Sequence, residues 1–98
     1  MSYEEHLQAD ARLTILKELS RQTDGRLNET VLTAVLDAFG YRKSRDWVRT
    51  QLRALEDIGA ITLAQAGTVF IASITRAGQD HVDRRTILEG VQRPSPEV

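Results

Sequence analysis

The hydrophobic pattern of the chain changes its period near residue 60, and this change limits the folds open to it. Over the first sixty residues, apolar side chains recur at the three- and four-residue intervals of amphipathic helices. The runs ITLA (Ile61 to Ala64) and TVFIASI (Thr68 to Ile74) are rich in β-branched residues and flank the turn residues Gln65, Ala66 and Gly67. The sequence therefore predicts an α+β fold with helices first and a β-hairpin afterwards.

Three helices are predicted before the hairpin. The first spans Tyr3 to Gln22, the second follows the N-cap residue Asn28 as far as Gly40, and the third follows the N-cap residue Ser44 as far as Gly59. The apolar stripes that they should bury are Ala11, Ile15, Leu16 and Leu19; then Val31, Leu32, Val35, Leu36 and Phe39; then Val48, Leu52, Leu55 and Ile58. Opposite the second stripe, Glu29, Thr33 and Asp37 are predicted to face solvent.

A fourth helix should follow the hairpin, capped by Thr75 and continuing to about Leu88, with Asp80 and Arg84 one turn apart. The ending VQRPSPEV has two prolines and no apolar pattern, so we expect one domain over 1–90 and a disordered tail over 91–98. Three helices, a two-stranded β-hairpin wing and a C-terminal helix, with a tight turn between the second and third helices, is the order of a winged helix-turn-helix domain.

Composition removes several classes of protein. A chain of 98 residues with 41% hydrophobic content has room for one core, and without cysteine it has neither disulfides nor thiolate metal sites. His6 and His81 are far apart with no third ligand nearby, so we expect exposed histidines, no metal and no cofactor. No apolar run approaches the ~18 residues of a membrane helix, and the acidic start is unlike a signal peptide, which favours a cytoplasmic protein.

Cations are concentrated around the predicted third helix. Between Arg42 and Arg53 the chain carries five cations and one anion, although its total formal charge is −1. A winged helix-turn-helix places its recognition helix in the major groove with its amino end at the base edges. The sequence therefore predicts a regulator that binds double-stranded DNA, with these contact residues: Lys43, Ser44, Arg45, Arg49, Thr50 and Arg53.

Several motifs also resemble a known family. SRDWVRTQLRALEDIGAI is similar to the recognition helix of winged-helix regulators of the ArsR and MarR groups, and ITRAGQD resembles the segment that follows their wing. Together with RLNETVL and the terminal GVQRPSP, the whole chain resembles a family of small winged-helix proteins of Mu-like bacteriophages and prophages. That resemblance implies a phage-encoded DNA-binding or regulatory protein in a bacterial host. Metal sensing is not implied, because the cysteines of many ArsR-type sensors are missing.

Two further expectations concern partners. Leu13 projects away from the first stripe and, with Ile87 and Leu88, suggests a homodimer surface formed by the first and last helices. The predicted hairpin turn contains no Lys or Arg to hold a phosphate, so a winged-helix module that binds a phage or host protein stays open as an alternative. An enzyme is not expected, since the sequence has no phosphate-binding glycine loop and no nucleophile set.

Overall fold

The computed structural model of the protein describes residues 2–96 and contains four helices and one antiparallel sheet. The elements follow one another as α1 (Tyr3–Arg21), β1 (Arg26–Asn28), α2 (Glu29–Ala38), α3 (Arg45–Asp57), β2 (Ile61–Ala66), β3 (Val69–Ile74) and α4 (Arg76–Val82). The α+β prediction is thereby confirmed.

The sheet has three strands in the order β1-β3-β2, whereas the sequence predicted a two-stranded hairpin. The added strand pairs Leu27 with Ala72 and Asn28 with Ile71 on β3. With three residues, β1 is too short to display the alternation that identifies a strand, so no strand was predicted between the first two helices. Its pairing ties the connection between α1 and α2 to the hairpin.

The helix boundaries follow the predicted caps. Each N-cap side chain accepts a backbone N–H: Asn28 from Val31 at 2.8 Å and Ser44 from Trp47 at 3.1 Å. After α2, Gly40 has a positive φ of 96°, which a residue with a Cβ rarely adopts. α3 therefore begins at Arg45, directly after its predicted N-cap residue Ser44.

One core lies between the helices and the sheet. Of the predicted stripes, all four named α1 residues are fully buried, as are Val48, Leu52 and Leu55 of α3. Leu13 is buried in the same core, so it is not available to the homodimer surface predicted for it. The sequence predicted a narrow buried stripe on α1, whereas α3, α4 and the sheet cover α1 on several sides.

α2 differs from its predicted orientation. Leu32 and Leu36 are buried, but Val31 is 40% exposed and Phe39 is 56% exposed. Glu29, predicted to face solvent, is completely buried. The helix is rotated because the carboxylate of Glu29 is fully hydrogen-bonded inside the protein, which allows a charged group to take a core position.

α4 ends at Val82, six residues before the predicted end. The N–H groups of Arg84 and Arg85 bond back to the carbonyls of His81 and Asp80, and Arg84 has a φ of 63°. Residues 83–96 contain no helix or strand, and they return along α1. There Val91 is buried and the N–H of Gln92 donates to the carbonyl of Ala9 at 3.1 Å. Of the tail predicted to be disordered, residues 97 and 98 lie outside the described residues.

His81 is completely buried, contrary to the exposed position predicted for it. Its Nδ1 accepts the N–H of Leu88 at 3.1 Å, and its Nε2 lies 2.9 Å from the carbonyl oxygen of Gln92. A ring nitrogen that accepts a hydrogen bond carries no proton. The ring proton is therefore on Nε2, which donates a hydrogen bond to the carbonyl oxygen of Gln92. Both polar atoms of this buried ring are therefore paired.

Candidate nucleic-acid interface

The six residues predicted to contact DNA all lie on α3 or just before it, but the structure divides them into two groups. Arg49 points inward and is bound by other parts of the protein, as described next. The other five have exposed side chains. They are Lys43, Ser44, Arg45, Thr50 and Arg53.

Arg49 makes a two-pronged ion pair with the buried carboxylate of Glu29. Its Nε donates to Oε2 at 2.6 Å and its Nη2 donates to Oε1 at 2.7 Å, a geometry in which the planar guanidinium matches both oxygens. The same carboxylate accepts the backbone N–H of Phe70 at 2.8 Å. These bonds, those from Arg49 first, lower the pKa of Glu29 from its usual 4.5 to about 2.

The Glu29 cluster, by which we mean Glu29, Arg45, Arg49, Thr68 and Phe70, connects three elements. The Arg49 guanidinium also donates to the carbonyl of Thr68, in the turn between β2 and β3, and lies 4.7 Å from the centre of the Phe70 ring. Glu29 is the first residue of α2, where the helix dipole favours a negative charge. Arg49 therefore fixes the hairpin turn against α3, and it is not free to bind a base.

Arg45 lies at the edge of the Glu29 cluster. Its Nε is 3.6 Å from Oε2 of Glu29, longer than the Arg49 contacts, and its side chain is 48% exposed against 28% for Arg49. Because Arg49 already provides the shorter hydrogen bonds to this carboxylate, most of the hydrogen-bonding capacity of Arg45 remains available to a ligand.

The outward side of α3 carries charges of both signs. Arg53 is exposed, with its guanidinium 5.3 Å from the centre of the Phe70 ring, and the Thr50 hydroxyl donates to the carbonyl of Asp46 at 3.1 Å. Asp46 and Asp57 are exposed as well. In residues 2–96 neither makes an ion pair, so the salt-bridged face that their spacing could have formed is not seen.

The segment before α3 supplies further cations. Arg42 and Lys43 are exposed, and the ammonium of Lys43 lies 5.5 Å from the centre of the Trp47 ring. The Ser44 hydroxyl oxygen accepts the Trp47 N–H, which leaves the hydroxyl hydrogen able to donate. Trp47 is half-buried, and its indole N–H donates to Glu4 of α1 at 3.3 Å. The amino end of α3 is thus anchored to α1 while its cations face outward.

Sequence reasoning missed Glu29, Thr68 and Phe70. An acidic residue in the first turn of a helix is ordinary, so nothing in the local sequence marks Glu29 as buried. The pairing depends on residues 20 and 41 positions away in the chain, namely Arg49 and Phe70. The only sequence signal was that Phe70 is a large aromatic in the hairpin, close to its turn.

Within residues 2–96, no group of three His, Cys, Asp or Glu side chains is placed to hold a metal ion. The same residues include no helix long and apolar enough to cross a membrane.

Comparison with known proteins gives the chain its relatives. It is 36% identical over 90 residues to the uncharacterized protein gp26 of Escherichia phage Mu, which covers 92% of this chain and 93% of gp26. The chain belongs to the family of phage Mu gp26. An uncharacterized protein of Haemophilus influenzae is 38% identical over 77 residues, covering 78% of this chain and 74% of that protein. No family model and no solved structure matches. The relationship to gp26 supports an origin in a Mu-like phage.

Proposed function

We propose that this gp26 relative is a winged helix-turn-helix protein that binds double-stranded DNA with α3 in the major groove. The order of elements and the strand order β1-β3-β2 support this fold, because they place α3 beside a hairpin that can act as the wing. The observation that carries the function is the group of exposed cations on α3 and just before it, in a chain whose net charge is −1. These cations are Arg42, Lys43, Arg45 and Arg53.

The residues have different roles in this proposal. Arg53 and Thr50 face the base edges from the outward side of α3, while Lys43, Ser44 and Arg45 bind phosphate at its amino end. Arg49, predicted from sequence to read a base, instead holds the hairpin in position through Glu29 and Thr68. The same proposal implies that the protein acts in the cytoplasm of the bacterial host and regulates transcription.

Fluorescence anisotropy with labelled duplexes tests DNA binding. Wild type should bind duplex DNA from the region next to its own gene, and the binding should weaken steeply as salt rises. Arg53→Gln should lose about 1 to 3 kcal/mol of binding free energy and reduce the preference over a random duplex. Arg76→Gln is the matched control, because Arg76 is exposed on α4, at the end of β3 remote from the hairpin turn. Absence of wild-type binding even at low salt would refute the proposal.

A second candidate function is binding of another phage or host protein, and the outer side of α2 favours it. Val31 and Phe39 are large apolar side chains left exposed there. Under this candidate, Phe39→Ser would abolish capture of a phage or host partner, whereas Arg53→Gln would not. Under DNA binding, Phe39→Ser leaves the anisotropy titration unchanged.

A homodimer completes the DNA-binding proposal, because two-fold dimers of this fold bind palindromic sites. Since Leu13 is buried, the support that remains is the exposed Ile87 beyond α4 together with Tyr3 of α1. Sedimentation at tens of micromolar, a range that detects weak association, should give a dimer. A strict monomer would remove the palindromic site from the proposal.

A further inference from the structure

Residues 83–96, beyond α4, contain no helix or strand, yet buried contacts hold them in place. His81 binds both Leu88 and Gln92 through its ring nitrogens, at 3.1 Å and 2.9 Å. Val91 is buried in the core, and Arg12 of α1 donates to the carbonyl of Gly90 at 3.1 Å. Terminal segments are usually poorly ordered unless they are tied down in this way.

The terminal motif GVQRPSP accordingly divides into two parts. Its first three residues, Gly90 to Gln92, make the anchoring contacts. Its continuation, Arg93 to Pro96, lines a pocket of about 320 Å³ with residues that follow the stop of α4. The pocket is lined by Arg84, Thr86, Ile87, Arg93, Pro94 and Pro96.

The pocket joins cationic and apolar groups. Two arginines, Arg84 and Arg93, line it together with Thr86, and none of the lining residues within the described range 2–96 is acidic. In the described chain, neither arginine has an acidic residue within ion-pair distance. Ile87 is 64% exposed beside them. The backbone of Arg84 is in the left-handed region, which carries a steric cost for a residue with a Cβ, and it sets where this side chain leaves the end of α4.

We propose that this pocket binds a peptide segment of a partner protein in which a carboxylate lies next to an apolar side chain. Unpaired guanidinium groups bind carboxylates through parallel hydrogen bonds. Ile87, Pro94 and Pro96 provide apolar surface for the neighbouring side chain, as in peptide sites where a few polar groups fix orientation. A DNA backbone offers phosphates but no apolar side chain to cover Ile87. The site contains no residue of α3, and because it uses Ile87 it competes with the homodimer proposed above for that side chain.

The test is an NMR titration of the ¹⁵N-labelled full chain, following the Nε–H signals of its arginines and the amide signals of Thr86 and Ile87. The probe is the peptide acetyl-Asp-Leu-Asp-Leu-amide, and the control is acetyl-Asn-Leu-Asn-Leu-amide, which has the same shape without charge. The acidic peptide should shift the signals of Arg84, Arg93, Thr86 and Ile87 at about 1 mM, a concentration suited to a short ligand. The control peptide should leave them unchanged.

Two variants and one control locate the site. Arg84→Gln and Arg93→Gln should each weaken the acidic peptide about tenfold or more, because each removes a charge-assisted hydrogen-bond donor. Arg76→Gln, an exposed arginine of α4 outside the pocket, should not. Because all three side chains are exposed, folding should be unaffected. The proposal is overturned if the acidic peptide shifts none of these signals at about 10 mM, or if both variants bind it like wild type. It is also overturned if a DNA duplex shifts them and the peptide does not.

Discussion

Two neighbouring arginines on one face of α3 are held in opposite ways. Arg49 is bound by the buried Glu29, by a turn carbonyl and by the Phe70 ring. Arg53, one turn further along, is exposed and lies near the same ring, and within residues 2–96 no carboxylate forms an ion pair with it. An arginine in a helix predicted to bind DNA is therefore not by itself a DNA contact, because a buried acid elsewhere in the fold can bind it instead.

The largest difference between the two arginines should appear in stability. Arg49→Met removes the partner of Glu29, and a buried charge left without its partner costs about 3 to 5 kcal/mol. Arg53→Met removes a charge from the outward side and should leave the midpoint of thermal unfolding close to that of wild type. Equal midpoints for the two variants would show that the Glu29 cluster does not form.

Arg45 provides the control inside the cluster. Its nitrogen is 3.6 Å from Glu29 and its side chain is half exposed, so Arg45→Met should lower the unfolding midpoint much less than Arg49→Met. Arg49→Lys keeps the charge but cannot make the two-pronged contact. Its unfolding midpoint should therefore lie between those of Arg45→Met and Arg49→Met. If Arg45→Met lowered the unfolding midpoint as much as Arg49→Met, Arg45 would matter to the Glu29 carboxylate as much as Arg49, which would contradict the assignment of Arg49 as its main partner.

Acid should act on the hairpin side of α3. The pKa of Glu29 is lowered from 4.5 to about 2, chiefly by hydrogen bonds from Arg49, so the unfolded chain binds this proton more readily than the folded one. The stability that the ionised carboxylate contributes is present above about pH 4.5 and is lost as the pH falls toward 2. Glu29→Gln should be less stable than wild type at neutral pH and should lose less over this window. This would be contradicted if the free energies of unfolding, measured by urea titration, fell by the same amount with pH in the two proteins.

The sequence predicted the caps, the α1 and α3 core and the hairpin, because these depend on neighbouring residues. It could not predict that Glu29 is buried or that Arg49 turns inward, since the contacts join residues separated by 20 and 41 positions. The same limit applies to His81, whose burial depends on a segment that returns from beyond α4. Lys43 and Arg45 at the amino end of α3 are exposed, and their contact to DNA stays a prediction.

The salt dependence of DNA affinity should distinguish cations at the amino end of α3 from cations elsewhere on the protein. If Lys43 binds a phosphate, Lys43→Gln should weaken all duplexes alike and lower the slope of log affinity against log salt by about one unit. Arg76→Gln on α4 should leave the slope unchanged. A slope equal to that of wild type for Lys43→Gln would remove this residue from the interface.

The smallest expected effect concerns the acidic residue on the outward side. Asp46 is exposed between the cations and makes no ion pair within residues 2–96, so it should repel the DNA backbone. Asp46→Asn should tighten binding by less than about 1 kcal/mol, mainly through faster association at low salt. Weaker binding by this variant would place Asp46 in a direct contact to a base instead.

The contrast between Arg49 and Arg53 is tested most directly by one NMR experiment on the arginine Nε–H groups, in which duplex DNA is added to the ¹⁵N-labelled protein. The Nε–H of Arg49, which donates to Glu29 at 2.6 Å, should exchange slowly with water and keep its position. The Nε–H of Arg53 should exchange rapidly before DNA is added and shift when DNA binds. An Arg49 signal that exchanges as fast as that of Arg53 and shifts with the duplex would contradict the account.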